Sequence, residues 1–202
     1  MAYHRNVERL AAFVLAGGKS SRMGRDKALL LFGEETLLSQ SLKLLRSVAG
    51  RVGIVGDASK FADYGWVVED HYRERGPLGA IHAALSESHA EWNLMFAVDM
   101  PFVEARLLEY LTTEARMPGV KMVTVPQVGG KIQPLCAVYR REFLELAERA
   151  LQKGENKIDR LFSEENTRVI GEEELSEAGF SAEMFRNLNT PEDLERALAK
   201  RL

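Results

Sequence analysis

Three short stretches of this chain hold residue types that could do chemistry together. The first is Ala16-Gly17-Gly18-Lys19-Ser20-Ser21-Arg22-Met23-Gly24-Arg25-Asp26-Lys27, the second is Asp70, and the third is Asp99. Glycine lets a backbone turn with positive φ and come close to a ligand, and successive N–H groups in such a turn make a concavity for anions. Lys19, Arg22, Arg25 and Lys27 place cations around the same turn. That combination suits a polyphosphate. Asp99 follows the apolar run Asn93-Leu94-Met95-Phe96-Ala97-Val98 and precedes Met100-Pro101. A carboxylate at the end of a buried strand is costly unless paired or bound to a metal, and Mg²⁺ takes one or two carboxylates together with phosphate oxygens. The bland alternative for Asp99 is a cap for the helix starting near Val103. For Asp70 it is a turn aspartate in a charged run.

The glycine-rich stretch is neither of two familiar phosphate loops. A Walker A motif would need glycine at position 13, which is Phe13, and the dinucleotide fingerprint fails because Gly17 is followed directly by Gly18. Protein nucleophiles are not in evidence. Cys136 is the lone cysteine and sits in an apolar run, so it reads as packing. The histidines His4, His71, His82 and His89 show no metal-ligand spacing, and no serine stands in a nucleophile elbow.

These residues need a scaffold. Ala11–Leu15 reads as a strand buried on both faces. Thr36 caps a helix with Leu37, Leu38, Leu42, Leu45 and Val48 at helical spacing. Residues 51–56 and Trp66–Asp70 read as further strands, Gly76-Pro77 as a helix start, and residues 103–116 as a helix. Lys121–Val128 and Leu135–Arg140 read as strands, including one antiparallel member. Residues 142–152 and Lys157–Glu165 read as helices, Phe185–Asn189 as a final short strand, and Thr190-Pro191-Glu192-Asp193 as the capped start of the last helix. Strands alternating with helices predict an α/β fold, a mostly parallel sheet with helices on both faces. Ligands of such sheets bind at the carboxyl ends of the strands, where the loop, Asp70 and Asp99 all fall.

At 202 residues the chain suits one domain spanning 1–202. A formal net charge of −3 argues against broad nucleic-acid binding, and no apolar run has the ~20 residues of a membrane span. With one cysteine and no visible signal peptide, a cytoplasmic location is expected.

The run Leu-Ala-Gly-Gly-x-Ser-x-Arg-Met-Gly-x-Asp-Lys at 15–27 resembles the signature loop of the molybdenum cofactor guanylyltransferases. The likeness continues through Gly76-Pro77-Leu78-Gly79, Val98-Asp99-Met100-Pro101, Gln133-Pro134-Leu135-Cys136 and Asn187-Leu188-Asn189-Thr190-Pro191. It implies a Rossmann-like three-layer nucleotidyltransferase fold. By the same likeness Leu15, Ala16 and Gly17 contact a guanine nucleotide, Lys27 its phosphates, and Asp70 and Asp99 the nucleotide–metal unit; the glycine-rich backbone with Gly18, Arg22 and a Mg²⁺ on Asp99 are the further parts that such a reaction requires. Gln133, Pro134, Asn187 and Asn189 match the pterin side. The implied substrates are GTP and molybdopterin, with or without molybdenum, and the implied partners include other cofactor-biosynthesis or molybdoenzyme-maturation proteins, with neither nucleic acid nor membrane. Two departures stand out: Val55-Gly56-Asp57 where relatives carry an asparagine, and Gln133-Pro134 where some have His-Pro.

The implied reaction explains the missing nucleophile. A phosphomonoester with a second pKa of about 6 is largely ionised at neutral pH. It can attack the α-phosphorus of a triphosphate if the protein aligns the two and offsets their repulsion. Two other readings are a cytidylyltransferase acting on the same pterin, whose members tend to carry Ala-Ala-Gly in place of Ala16-Gly17-Gly18, and a non-catalytic nucleotide-binding partner. The second is at odds with the retention of Arg22, Lys27, Asp70 and Asp99.

Overall fold

The computed structural model describes residues 9–17, 26–72, 75–119 and 121–199. Strand β1 (Leu10–Leu15) is buried throughout. A 3₁₀ turn at Lys27–Leu29 leads into a small antiparallel ribbon of β2 (Leu31–Phe32) and β3 (Glu35–Thr36), then helix α1 (Leu37–Val48). Thr36 caps α1 as expected, its hydroxyl accepting from Ser39 N–H. There follow β4 (Arg51–Val55), the short α2 (Ala58–Phe61), β5 (Val67–Val68), α3 (Gly76–Glu87), β6 (Trp92–Ala97) and α4 (Ala105–Ala115). The C-terminal part holds β7 (Val123–Val128), β8 (Lys131–Ile132), β9 (Cys136–Arg140), α5 (Phe143–Gln152), β10 (Thr167–Ile170), α6 (Glu172–Glu177) and α7 (Pro191–Ala199).

Strand order in the main sheet is β10-β7-β9-β6-β1-β4-β5, with β8 paired to β7. Neighbours run parallel except at β9, antiparallel to both β6 and β7, and at the β7–β8 hairpin. The expected antiparallel member is therefore β9. The hairpin turns at Gly129 and Gly130, whose φ values of 57° and 73° are those a two-residue turn of this hand demands.

The two-residue period of β1 builds both cores. Leu10, Ala12 and Val14 join a cluster with Leu37, Leu42 and Leu45 of α1 and Leu107, Leu108 and Leu111 of α4. Ala11, Phe13 and Leu15 face the other way, onto Leu78, Ile81 and Leu85 of α3 and Phe143, Ala147 and Leu151 of α5. That makes three layers, helices on both faces of one sheet. Emptying such a site, as in Phe13→Ala, costs about 3–5 kcal/mol.

Three sequence expectations need correction. Only Val67 and Val68 of Trp66–Asp70 pair, because Asp70 leaves the ladder to accept from Tyr72 N–H. Lys157–Glu165 is not an α-helix but a 3₁₀ stretch at Ile158–Leu161. There Glu155 caps the N–H groups of Asn156 and Lys157 while Asn166 bonds Leu161 O and Ser163 N–H, so side chains take the groups a helix would use. Phe185–Asn189 forms no strand. A 3₁₀ turn at Ala182–Phe185 runs into extended chain that lays Met184, Phe185 and Leu188 on the core. The acidic stretch before it resolves into β10 and α6.

Candidate nucleotide site

From β1 the chain crosses to β4 and β5 on one side, then to β6 on the other. The β1–β6 seam is thus the point where strand order reverses, and crevices at the carboxyl ends of such seams take ligands. Leu15 and Ala97 are partners in register, so the loop after β1 and the segment after β6 leave the sheet side by side. Val98 N–H donates to Leu15 O at 3.3 Å, which extends the pairing by one step.

Lys27 and Asp99 meet across this seam. Lys27 Nζ lies 2.7 Å from Asp99 Oδ2 and donates to Asn189 Oδ1 at 3.1 Å. Local chemistry fixes each of the three. Lys27 opens the 3₁₀ turn, whose cap Asp26 accepts from Ala28 N–H with Oδ1 and from Lys60 Nζ with Oδ2. That ion pair raises the Lys60 pKa. Asp99 is held through its main chain, its carbonyl accepting from Leu188 N–H at 2.9 Å. Asn189 is held by the start of α7. Asp193 Oδ2 accepts from the N–H groups of Asn189 and Thr190, and Thr190 Oγ1 accepts from Asp193 N–H, a reciprocal cap. Those amide donors lower the Asp193 pKa.

The cap reading of Asp99 is ruled out by position, since Glu104 stands at the N-cap of α4. Its side chain is four-fifths covered, and Oδ1 is buried without a hydrogen-bond partner among the described residues. A buried bare carboxylate oxygen is costly for the protein alone and is a hard donor of the kind Mg²⁺ selects. Among the described residues there is no group of three metal-binding side chains. The donor set therefore fits a cation that takes one or two carboxylates and completes its shell with phosphate and water.

Ala16 and Gly17 lie against β4, both N–H groups donating to Val55 O, at 2.9 and 3.2 Å. What they can offer a ligand is carbonyl oxygen. Asp70 lies further along the same edge, after β5. Its carboxylate packs on the first turn of α3, where a Cβ on Gly79 would stand 2.8 Å from Oδ2. The α3 N-cap residue, Arg75, supplies no side-chain bond, so the partial positive charge of the helix end is met by Asp70. On the other flank, Gln133 N–H donates to Pro126 O, Tyr139 Oη donates to Pro134 O, and Leu135 O accepts from Ala97 N–H. The Gln133-Pro134 turn is thereby tied to the end of β6. Asn187 is exposed, two residues from the Lys27 contact. Gly18 and Arg22 lie outside the described residues.

Some of this was not visible in the sequence. The Asp26–Lys60 bond and the Asn189–Lys27 contact join residues 34 and 162 positions apart. The one signal was the motif neighbourhood of Asp26 and Asn189. Cys136 is fully buried and its thiol pKa is pushed up to about 12 by desolvation, so it is packing as expected.

Comparison with known proteins places this geometry. A protein of Carboxydothermus hydrogenoformans named "probable molybdenum cofactor guanylyltransferase" is 32% identical over 95% of this chain and 96% of its own length. A molybdenum cofactor guanylyltransferase of Desulfosudis oleivorans is 31% identical over 96% of each chain. The crystal structure of molybdopterin-guanine dinucleotide biosynthesis protein A from Archaeoglobus fulgidus superposes with a TM-score of 0.80 at 27% identity, covering 95% of this chain and all of that one. The family model for the MobA-like NTP transferase domain matches residues 12–169. On that match, over the sheet that carries the seam, the chain belongs to the MobA-like NTP transferase family and is a nucleotidyltransferase.

Proposed function

We propose that the protein transfers GMP from GTP to the terminal phosphate of molybdopterin, with or without molybdenum, and releases pyrophosphate. An oxygen of the pterin phosphate forms a bond to the α-phosphorus of GTP, and the bond from that phosphorus to the α–β bridging oxygen breaks. The single observation that carries the reading is the Lys27–Asp99–Asn189 constellation at the β1–β6 seam, with Asp99 Oδ1 buried and bare. The relatives' names supply the identity of the two substrates.

Each residue has a role in that reading. Asp99 would hold Mg²⁺ through Oδ1. When bound, the ion shields the phosphate oxygens and draws charge from the phosphorus under attack. Lys27 offsets charge on the leaving pyrophosphate, and such a fixed cation acts most where charge grows in the transition state. Arg22 is assigned to the phosphates and Asp70 to the nucleotide. Ala16 and Gly17 offer main-chain oxygens to the base, and Leu15 places them through its bond to Val98 at the end of the strand. Gln133, Pro134, Asn187 and Asn189 face the pterin, and Asn189 is shared because it also bonds Lys27. No protein nucleophile is required.

Pyrophosphate release measured with GTP, CTP, ATP and UTP, each with molybdopterin and Mg²⁺, tests the proposal. The expected result is turnover with GTP alone at a useful rate. Preference for CTP would reassign the base while leaving the chemistry, and no turnover with any triphosphate would overturn the enzymatic reading.

A further inference from the structure

The connection from β5 to α3 carries Asp70 between two elements that do little to fix it themselves. Strand β5 is two residues long at the edge of the sheet, and α3 begins without a side-chain cap. Among the described residues Tyr72 ties the connection at three points. Its N–H donates to Asp70 Oδ1 at 2.8 Å, its carbonyl accepts from Arg75 N–H, and its hydroxyl donates to Glu148 Oε1 at 2.7 Å. Glu148 belongs to α5, and the nucleotide site makes no other use of that helix.

Glu148 is itself over-determined. Gln152 Nε2 donates to Oε1 at 2.8 Å, and Oε2 pairs with His82 Nε2 from α3. His82 is 5% exposed and its Nδ1 is buried without a partner. His82 Nε2 is the nitrogen that faces the carboxylate, and Nδ1 is the one left over. The Tyr72 ring stands edge-on to the His82 ring, centroids 5.0 Å apart at 89°. The donated hydroxyl raises the Tyr72 pKa and lowers that of Glu148. A buried histidine, a carboxylate and a phenol thus converge on one peptide, and that peptide ends at Asp70.

We propose that Glu148 and Tyr72 are positioning residues of the nucleotide site: Glu148 anchors the Tyr72 hydroxyl so that the Tyr72 amide holds the Asp70 carboxylate over the first turn of α3. The inference rests on the reading of Asp70 as a nucleotide contact. A purely structural role for the cluster would stitch α3 to α5 and show only in stability.

GTP binding, measured by calorimetry with Mg²⁺ on the full chain, separates the two. Tyr72→Phe keeps the ring on His82 and removes only the tether. It is expected to weaken GTP about fivefold, with the melting temperature and the KM for molybdopterin unchanged. Glu148→Ala should weaken GTP by the same factor and, unlike Tyr72→Phe, also lower the melting temperature, because it leaves the buried His82 Nε2 without its partner. Glu148→Gln keeps an oxygen for Tyr72, its amide can face His82 in the other tautomer, and it should restore affinity to within twofold. Tyr72→Phe added to Asp70→Ala should cost nothing further, because coupled residues are not additive. Unchanged GTP affinity in Tyr72→Phe, or full additivity with Asp70→Ala, overturns the positioning role while Asp70→Ala alone still binds poorly. If Asp70→Ala itself binds GTP like the native chain, the nucleotide reading of Asp70 fails and this inference with it.

Discussion

Lys27 and Asp99, 72 positions apart in the chain, form a 2.7 Å ion pair at the β1–β6 seam in which, among the described residues, one oxygen of the carboxylate is engaged. Their side chains are 17% and 18% exposed. A pair this covered is neither a solvated surface contact of negligible value nor a closed structural bridge, since a closed one satisfies both oxygens. The geometry is that of a carboxylate oriented by lysine and left open on one side.

Asp99→Asn tests the open side. Asparagine keeps an oxygen for Lys27, and the Leu188 bond is to the main-chain carbonyl, so the fold should persist with a melting temperature within a few degrees of native. Transfer activity should be nearly abolished, because a neutral amide is a poor ligand for Mg²⁺. Normal turnover in the folded variant would falsify the metal assignment.

Lys27→Ala removes the other half. Transfer should fall by about 10²–10³ and GTP affinity should weaken as well. A solvated lysine would be neutral for stability, but here its loss strips Asp99 of its partner and should cost about 1–3 kcal/mol. Rate, affinity and melting temperature measured on one preparation check all three, and native kinetics would remove Lys27 from the site.

The seam was legible in the sequence because it is local. A strand buried on both faces is a run of apolar residues, and Asp99 ends its strand in plain view. The supports were not legible. Asn189 reads as pterin-side from its motif, and nothing in the chain says that its amide reaches Lys27 from 162 positions away. Lys157–Glu165 has helical spacing, yet Glu155 and Asn166 side chains outcompete the backbone there. Residues 185–189 have strand composition, but the seam they cross has no free ladder, so Leu188 is left to bond Asp99 O. At 157–165 local side-chain bonds beat the helix, whereas at 185–189 a tertiary partner replaced the ladder.

Gly79 gives a prediction of unusual sign. Alanine in a helix is ordinarily more favourable than glycine by up to about 1 kcal/mol. At this position the added Cβ would stand 2.8 Å from Asp70 Oδ2 and 2.9 Å from Tyr72 O. One of these is main chain, so the whole connection must shift. Gly79→Ala should weaken GTP binding several-fold and leave the KM for molybdopterin alone. Native GTP affinity in that variant would mean that the Asp70 segment is free to move without consequence.

Acid should loosen the start of the last helix when Asp193 is finally protonated. Its folded pKa is depressed by the Asn189 and Thr190 amides, so its stabilising effect is present above the ordinary carboxylate pKa of about 3.9 and is lost as pH falls through the lower folded value. The amide shifts of Asn189 and Thr190, followed by NMR from pH 6 downward, should titrate together with a midpoint below 3.9. In Asp193→Asn they should stay flat, and a shared midpoint at or above 4 would contradict the capping geometry.

Base choice follows from which main-chain groups remain. Val55 O takes the N–H of both Ala16 and Gly17, so this segment can present acceptors to a base and not donors. Guanine offers two donors on its pairing edge, N1–H and the N2 amine. Adenine and cytosine offer one donor beside an unprotonated ring nitrogen, which would face a carbonyl oxygen unpaired. A buried mismatch of that kind discriminates by orders of magnitude, and GTP is expected to exceed ATP and CTP by at least ~100-fold in kcat/KM. Gly17→Ala sharpens the test. Among the described residues its Cβ would meet nothing closer than Val55 O at 3.9 Å, so the variant should fold and melt as native. Any loss of GTP use in it reports on the ligand side of the loop. The same loss for all four triphosphates would place Gly17 under the phosphates, whereas a loss confined to GTP would place it under the base.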